Sequence, residues 1–201
     1  GTRAIHDVQD LRRGHLRLAM TPTFTAYLIG PLLARFNQLY PGITLSIEEL
    51  TQDRIEAALG EDLLDIGIGF TGEHGVEIDC EALFVEELSL VVSASHPERT
   101  QPAWLEQPLV LLNTGFATRR YIDDYCHRQG VKPQIAMEAN SISAIIEIVR
   151  STPLATILPR ALAEAQAGLR AVAIEPALPQ RTAALLSRKG GYRSAACAAF
   201  V

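Results

Sequence analysis

Four short stretches of this chain bring together side chains that could hold a ligand. The first is Thr21, Thr23, Phe24 and Thr25; the second is Asn113, Thr114 and Phe116; the third is Asn140, Ser141 and Ser143; the fourth is Gly69 with Phe70. All of them are neutral. Hydroxyls and amides beside the start of a helix either bond the backbone N–H groups that the first turn leaves over or leave them pointing outward, where the partial positive charge of the helix end favours a small anion. Taken singly, each Thr, Ser or Asn is best read as a helix cap; as a group opening on one cleft, with phenylalanines as walls, they read as an anion site. Arg119 and Arg150 could add charge, although both read as solvated surface residues.

Catalytic signatures are missing. There is no GxSxG, HExxH or GxxxxGK[ST], and Gly67-Ile-Gly69 falls inside a strand pattern rather than at a strand-to-helix turn. His6, His15, His74, His96 and His127 are scattered. The cluster Glu73, His74, Glu77, Asp79 and Cys80 has metal-binding atom types without a ligand spacing, and reads as a solvated acidic loop. The expectation is a non-enzyme with no catalytic residues, no metal and no cofactor.

The elements that must position these residues come from a chain of 201 residues, 48% hydrophobic and 20% charged, enough for one large or two small domains with a real core. A net charge of -5 and the lack of a basic stripe argue against this chain gripping a phosphate backbone by itself. No apolar run approaches the roughly 18 residues of a membrane span, and the opening residues carry no secretory signal. Gly1 reads as a tag scar on an excised fragment, and the expected location is cytoplasmic. Cys80, Cys126 and Cys197, widely spaced and without a CxxC pair, read as reduced thiols.

Hydrophobic periodicity orders the chain. Ile5, Val8 and Leu11 suggest the end of a helix, and residues 16–20 a strand. Leu28, Leu32, Phe36 and Leu39 then draw one helical face that Pro41-Gly42 stops, with Pro31 starting or kinking it. A strand at 43–50 has Ile43, Leu45 and Ile47 on one side. Asp53 is expected to cap a short helix, and 65–70 to form a strand whose glycines allow close backbone approach. After a loop and a β-rich stretch to residue 94 the series begins again: strand 109–112, turn, helix 118–129 stopped by Gly130, strand 135–139, a helix capped at Asn140-Ser141, and strand 154–158. LRLAMTPTF matches LVLLNTGF in kind. This pseudo-repeat of a βαβαβ unit predicts α/β architecture: two Rossmann-like βαβ lobes with a ligand cleft between them. A helix at 161–167, strands at 169–174 and 182–188 and a helix from Ser194 complete it. Lobe I is expected at 14–94 plus 180–201, lobe II at 95–179, and residues 1–13 as the end of a linker helix.

Gly14-x-Leu16, the Pro31-Leu-Leu33, Phe36 and Tyr40-Pro41 series, Glu49, Leu64-Asp65-Ile-Gly-Ile68, His96-Pro97 and Leu158-Pro159 together resemble the effector-binding domain of LysR-type transcriptional regulators. The resemblance implies a type 2 periplasmic-binding-protein-like fold, a small-molecule effector between the lobes, homodimers or homotetramers, and a winged helix-turn-helix absent from this fragment. Promoter DNA and RNA polymerase would be partners of the parent activator, and no membrane is involved. TPTFTAYLIGPL, NTGFATR and EANSISAIIEIVR resemble the cyanate-responsive members, implying cyanate or azide as effector. The dimer expected by resemblance sets the 28–40 helix of one subunit near the 118–129 helix of another. Two departures stand out: Asp62 occupies a place where the family often has Gly, and Ser151-Thr152-Pro153 replaces a glycine-rich turn. A solute-binding protein or an enzyme on the same scaffold is the alternative reading.

Overall fold

The computed structural model describes residues 14–72, 74–97 and 107–190. The helices expected at 4–13 and from Ser194 lie outside the described residues, as does Glu73 of the acidic loop. The elements are β1 (His15–Met20), α1 (Pro22–Tyr27), α2 (Ile29–Leu39), β2 (Thr44–Glu49), α3 (Gln52–Gly60), β3 (Ile66–Phe70), β4 (Ile78–Glu86), β5 (Leu88–Ser93) and β6 (Leu109–Leu112). They continue with α4 (Ala117–Gln129), β7 (Ile135–Ala139), α5 (Ile142–Ser151), β8 (Thr156–Pro159), α6 (Arg160–Ala165), β9 (Leu169–Val172) and β10 (Arg181–Arg188). Contacts divide the chain into two compact units, a first that runs to Phe84 and resumes at Thr182, and a second at Val85–Arg181.

In the first unit the sheet order is β2-β1-β3-β10-β4, with β1 parallel to both β2 and β3, and β10 antiparallel to β3. Alternation along β1 sends Leu16, Leu18 and Met20 into a core with Phe24, Phe36 and Ile68. Ala19 turns to the opposite face, where Ile55 and Leu59 of α3 pack with Ala184 and Leu186. Helices α1 and α2 are separated only at Leu28, whose backbone is still αR. Pro31 lacks an N–H and cannot donate to the Tyr27 carbonyl, which explains a break there.

Close approach of α3 to β3 is possible because the strand carries glycines. A Cβ on Gly67 would lie 2.3 Å from Ile55 Cγ2, and one on Gly69 2.2 Å from Gln52 Oε1. At Asp62 the backbone takes φ 58°, the left-handed region. Asp is one of the few residues besides Gly that enters it, so Asp62 holds the turn a glycine would otherwise make. Its carbonyl also accepts from Arg17 Nη1 at 2.7 Å.

The second unit repeats the arrangement. β6 is parallel to β7, and Leu109 bridges in parallel to Ala155 just before β8, so the first strand is again in the middle. Behind it, Ile145, Ile146 and Val149 of α5 are buried. Gly130 caps α4 in the left-handed region at φ 66°. In place of a glycine-rich turn, Thr152 Oγ1 donates to the Ile148 carbonyl at 2.7 Å and accepts from Leu154 N at 3.2 Å.

Three expectations change. The first-lobe boundary at residue 94 moves, because β5 pairs antiparallel with β8 and β9, and the change of unit falls at Phe84 and Val85. The residue at the cap position of α3 is Thr51, with Asp53 inside the first turn, where its charge suits the helix dipole. Ile47 is 40% exposed because β2 is a sheet edge that the core covers only at Ile43 and Leu45.

Gly67→Ala is expected to lower stability by about 1–3 kcal/mol through overpacking against Ile55. Urea unfolding measures it, and a wild-type midpoint would show that α3 can retreat from the strand.

Candidate functional site

In the first unit the candidate residues gather at the carboxyl ends of the parallel strands. Thr21 N donates to the Ile68 carbonyl (3.1 Å), which locks the end of β1 to β3. Gln52, at the start of α3, grips the end of β3 twice: its Oε1 accepts from Phe70 N at 3.0 Å and its Nε2 donates to Phe70 O at 3.3 Å. Gly69 leaves the space that Gln52 needs.

The three threonines of this run differ. Thr21 stands at the cap position of α1 but its side chain makes no cap hydrogen bond. Thr21 is 4% and Thr23 2% exposed, and neither buried hydroxyl has a hydrogen-bond partner among the described residues. A buried hydroxyl left unmade costs about 1–3 kcal/mol, so the plain cap reading fails for both. Thr25, by contrast, is committed to the Pro22 carbonyl at 2.8 Å and to the Glu49 carboxylate.

Phe24 and Phe70 are not walls of an open cleft. Phe24 is fully buried, with ring centroids 5.1 Å from Phe70 and 6.0 Å from Phe84. Aromatic area of this size is most stable inside the core, where the two rings brace the threonine run from behind.

In the second unit Asn113, Thr114 and Phe116 form the turn after β6, and Asn140, Ser141 and Ser143 stand after β7. Asn113 N donates to the Ala139 carbonyl at 3.0 Å, tying the two strand ends together. Asn113 Oδ1 accepts from Gly115 N at 3.1 Å, closing an Asx turn. Ser141 Oγ accepts from Ala144 N at 3.3 Å as a true cap of α5 and lies 2.8 Å from Ser143 Oγ. Thr114, Asn140 and Ser143 are exposed, and Phe116 is half-buried.

Arg119 is not a surface residue. It is 7% exposed, and its Nη1 donates to the Leu112 carbonyl at 3.0 Å and to Glu138 Oε2 at 2.6 Å, while Nε donates to Asp123 Oδ1 at 2.9 Å. Burial pulls the guanidinium pKa down, but the hydrogen bonds to Asp123 and Glu138 outweigh it and the net direction is up, so Arg119 is a permanent cation just beneath the turn. The sequence signal for it was Asp123 at i+4 on the same helix. Arg150 is partly exposed, pairs with Glu147 and donates to the Ala167 carbonyl at 2.8 Å. Gln52 was missed because nothing local distinguishes it from a surface residue on α3.

His74 Nδ1 pairs with Glu56 at 3.1 Å, and among the described residues no group of three His, Cys, Asp or Glu could hold an ion. Burial pushes the Cys126 thiol up, and burial followed by the Glu56 charge does the same for exposed Cys80, so neither is an activated thiolate. A cavity of about 530 Å³ in the second unit is lined by Ala94, Ser95, His96, Pro97 and Arg170 and includes none of the candidate residues.

Residues 9–201 match the model of the LysR substrate binding domain. The chain belongs to that family. It is therefore an effector-binding domain of LysR-type transcriptional regulators. A probable RuBisCO transcriptional regulator from Trichormus variabilis is 30% identical over 212 residues, 98% of this chain and 63% of the relative. The chain spans from about half to about two thirds of the length of the curated relatives it matches. These relatives are named as regulators or activators, not enzymes, in line with the non-enzyme expectation.

Among solved structures, the regulatory domain of CcmR from Synechocystis PCC6803 in complex with 2-PG superposes with a TM-score of 0.81 at 20% identity, covering 92% of this chain and 93% of that one. Full-length CbnR complexed with its target DNA gives 0.80 at 18% identity, with coverage of 99% and 71%. The likeness shows the fold, the two-lobed periplasmic-binding-protein-like α/β fold of LysR effector-binding domains.

Opposite stability effects are expected in the ligand-free protein. Thr23→Val, which removes an unpartnered hydroxyl, raises unfolding free energy by about 1 kcal/mol, whereas Ser141→Ala, which removes a working cap, lowers it by about 1 kcal/mol. Urea denaturation of both variants checks the contrast, and equal losses would mean that Thr23 has a structural partner.

Proposed function

We propose that this chain is the sensing part of a LysR-type activator whose effector is a small anion, cyanate or azide, held by hydroxyls and backbone N–H groups at the strand ends. The observation that carries the proposal is the pair of buried, unpartnered hydroxyls on Thr21 and Thr23. A ligand accepting from both would make two hydrogen bonds that the empty protein lacks, and their burial makes each worth more than at the surface. Thr25 contributes through the placement of Glu49 rather than as a donor. Asn113, Thr114, Asn140, Ser141 and Ser143 offer the second set of neutral donors, with Arg119 lending positive charge from below its turn. Gly69 and the rings of Phe24, Phe70 and Phe116 shape rather than bind.

The parent protein would carry a winged helix-turn-helix outside this chain, act on promoter DNA and RNA polymerase in the cytoplasm, and assemble as a homodimer or homotetramer. Leu39, 58% exposed at the end of α2, supports an assembly surface on that helix. A coupling of about 1–3 kcal/mol between effector and DNA arrangement suffices for regulation. No observation favours the solute-binding or enzymatic alternative.

A larger organic anion is the second reading, favoured by the 2-PG held by the CcmR domain. A thermal-shift panel of cyanate, azide and 2-PG separates the two. Cyanate or azide at about 100 times its dissociation constant stabilises by about 2.7 kcal/mol, which raises Tm by several degrees in wild type and much less in Thr21→Val/Thr23→Val. A shift with 2-PG alone would replace the effector, and no shift with any of the three would remove the anion reading.

A further inference from the structure

The chain passes from the first unit to the second at the end of β4 and returns at the start of β10, and these strands are neighbours in one sheet. At this crossing an ion pair is buried. Glu86, the last residue of β4, is 3% exposed, and Arg181, the first of β10, is 7% exposed. Glu86 Oε1 accepts from Arg181 Nε at 2.7 Å and lies 2.5 Å from Nη2. Above the guanidinium sits the ring of Tyr121, its centroid 5.8 Å from Arg181 Cζ.

Tyr121 belongs to α4, and its hydroxyl donates to the carbonyl of Pro179 with that of Gln180 at 3.4 Å. One turn later Tyr125 donates to the Pro176 carbonyl. The segment that leads into β10 is therefore fastened to α4 by two phenols and a cation–π contact. Burial pushes both phenols up, Tyr121 against the opposing pull of Arg181, so both remain protonated donors at neutral pH. The same helix begins directly after the Asn113–Phe116 turn.

A buried ion pair is a poor source of stability, since desolvation offsets most of its attraction, and a well-packed apolar pair often does as well. Its geometry is more restrictive than apolar packing. We propose that Tyr121, Arg181 and Glu86 are positioning residues that form a clamp, fixing both crossing strands to α4 so that a movement of α4 is carried into the crossing. The trigger for such a movement rests on the effector reading above; the clamp itself does not.

Hydrogen–deuterium exchange tests it on the wild-type chain, Tyr121→Phe and Glu86→Gln/Arg181→Met. In the ligand-free state Tyr121→Phe, which keeps the ring and loses the hydroxyl, is expected to raise exchange in residues 84–87 and 176–182 by up to about tenfold, the loss of one hydrogen bond. Amides of β1 and β3 should exchange as in wild type. Unchanged exchange at the crossing in Tyr121→Phe, or an equal rise in every strand, overturns the clamp. The double variant, if folded, should show the same local rise. With saturating sodium cyanate, the change at the crossing seen in wild type should vanish in Tyr121→Phe while calorimetric affinity stays within about threefold. A wild-type chain that binds no cyanate removes the effector reading alone, because the ligand-free comparison still decides the clamp.

Discussion

The first unit depends on how closely α3 lies to β3. Two missing Cβ atoms, at Gly67 and Gly69, let Ile55 and Gln52 come down onto the strand. Ile55 then seals the face of the sheet with Leu59, Ala184 and Leu186, while Gln52 satisfies both backbone groups of Phe70. With the end of β3 held, the Thr21 amide finds the Ile68 carbonyl. The Thr21 and Thr23 hydroxyls beside it are buried and have no hydrogen-bond partner among the described residues. A side chain on either glycine would meet Ile55 or Gln52 and push the helix away from the strand.

The second unit has the same strand order but meets the same need with different chemistry. Where a neutral amide grips the end of β3, the Arg119 cation reaches from α4 to the Leu112 carbonyl at the end of β6 and to Glu138 on the neighbouring strand. Asp123 and Glu138 are themselves 42% and 50% exposed, so the attraction is softened by solvent and its value lies in geometry. Topological repetition thus does not extend to electrostatics: one strand end has neutral hydroxyls above a neutral amide, the other neutral donors above a buried positive charge.

Much of this architecture could be read from residue order. Alternation in Leu16 to Met20, the three-four spacing of Ile142 to Val149, and Gly130 after α4 each have one physical solution, and the structure adopts it. The pseudo-repeat was visible because both copies put a hydroxyl-bearing turn after the central strand. What could not be read is pairing at a distance. A buried apolar run such as Leu88 to Val92 is equally at home beside β4 or beside β8, and only the antiparallel register with Thr156 to Pro159 decides it. Phe24 looked like a wall because its neighbours are polar, yet Phe70 and Phe84, far along the chain, enclose it. Of the three threonines, two are unpartnered and one is not, a distinction set by Glu49 on another strand.

The position of β10 between β3 and β4 also orders events during synthesis. Val85–Arg181 is one continuous stretch, so β5 to β9 are all synthesised before β10. The first unit meanwhile has a gap in its sheet: β3 and β4 cannot be joined until Arg181–Arg188 arrives between them. Domains generally fold as units as the chain emerges. The unit that begins the chain is therefore the last to finish, and it is the one with the unpartnered threonines.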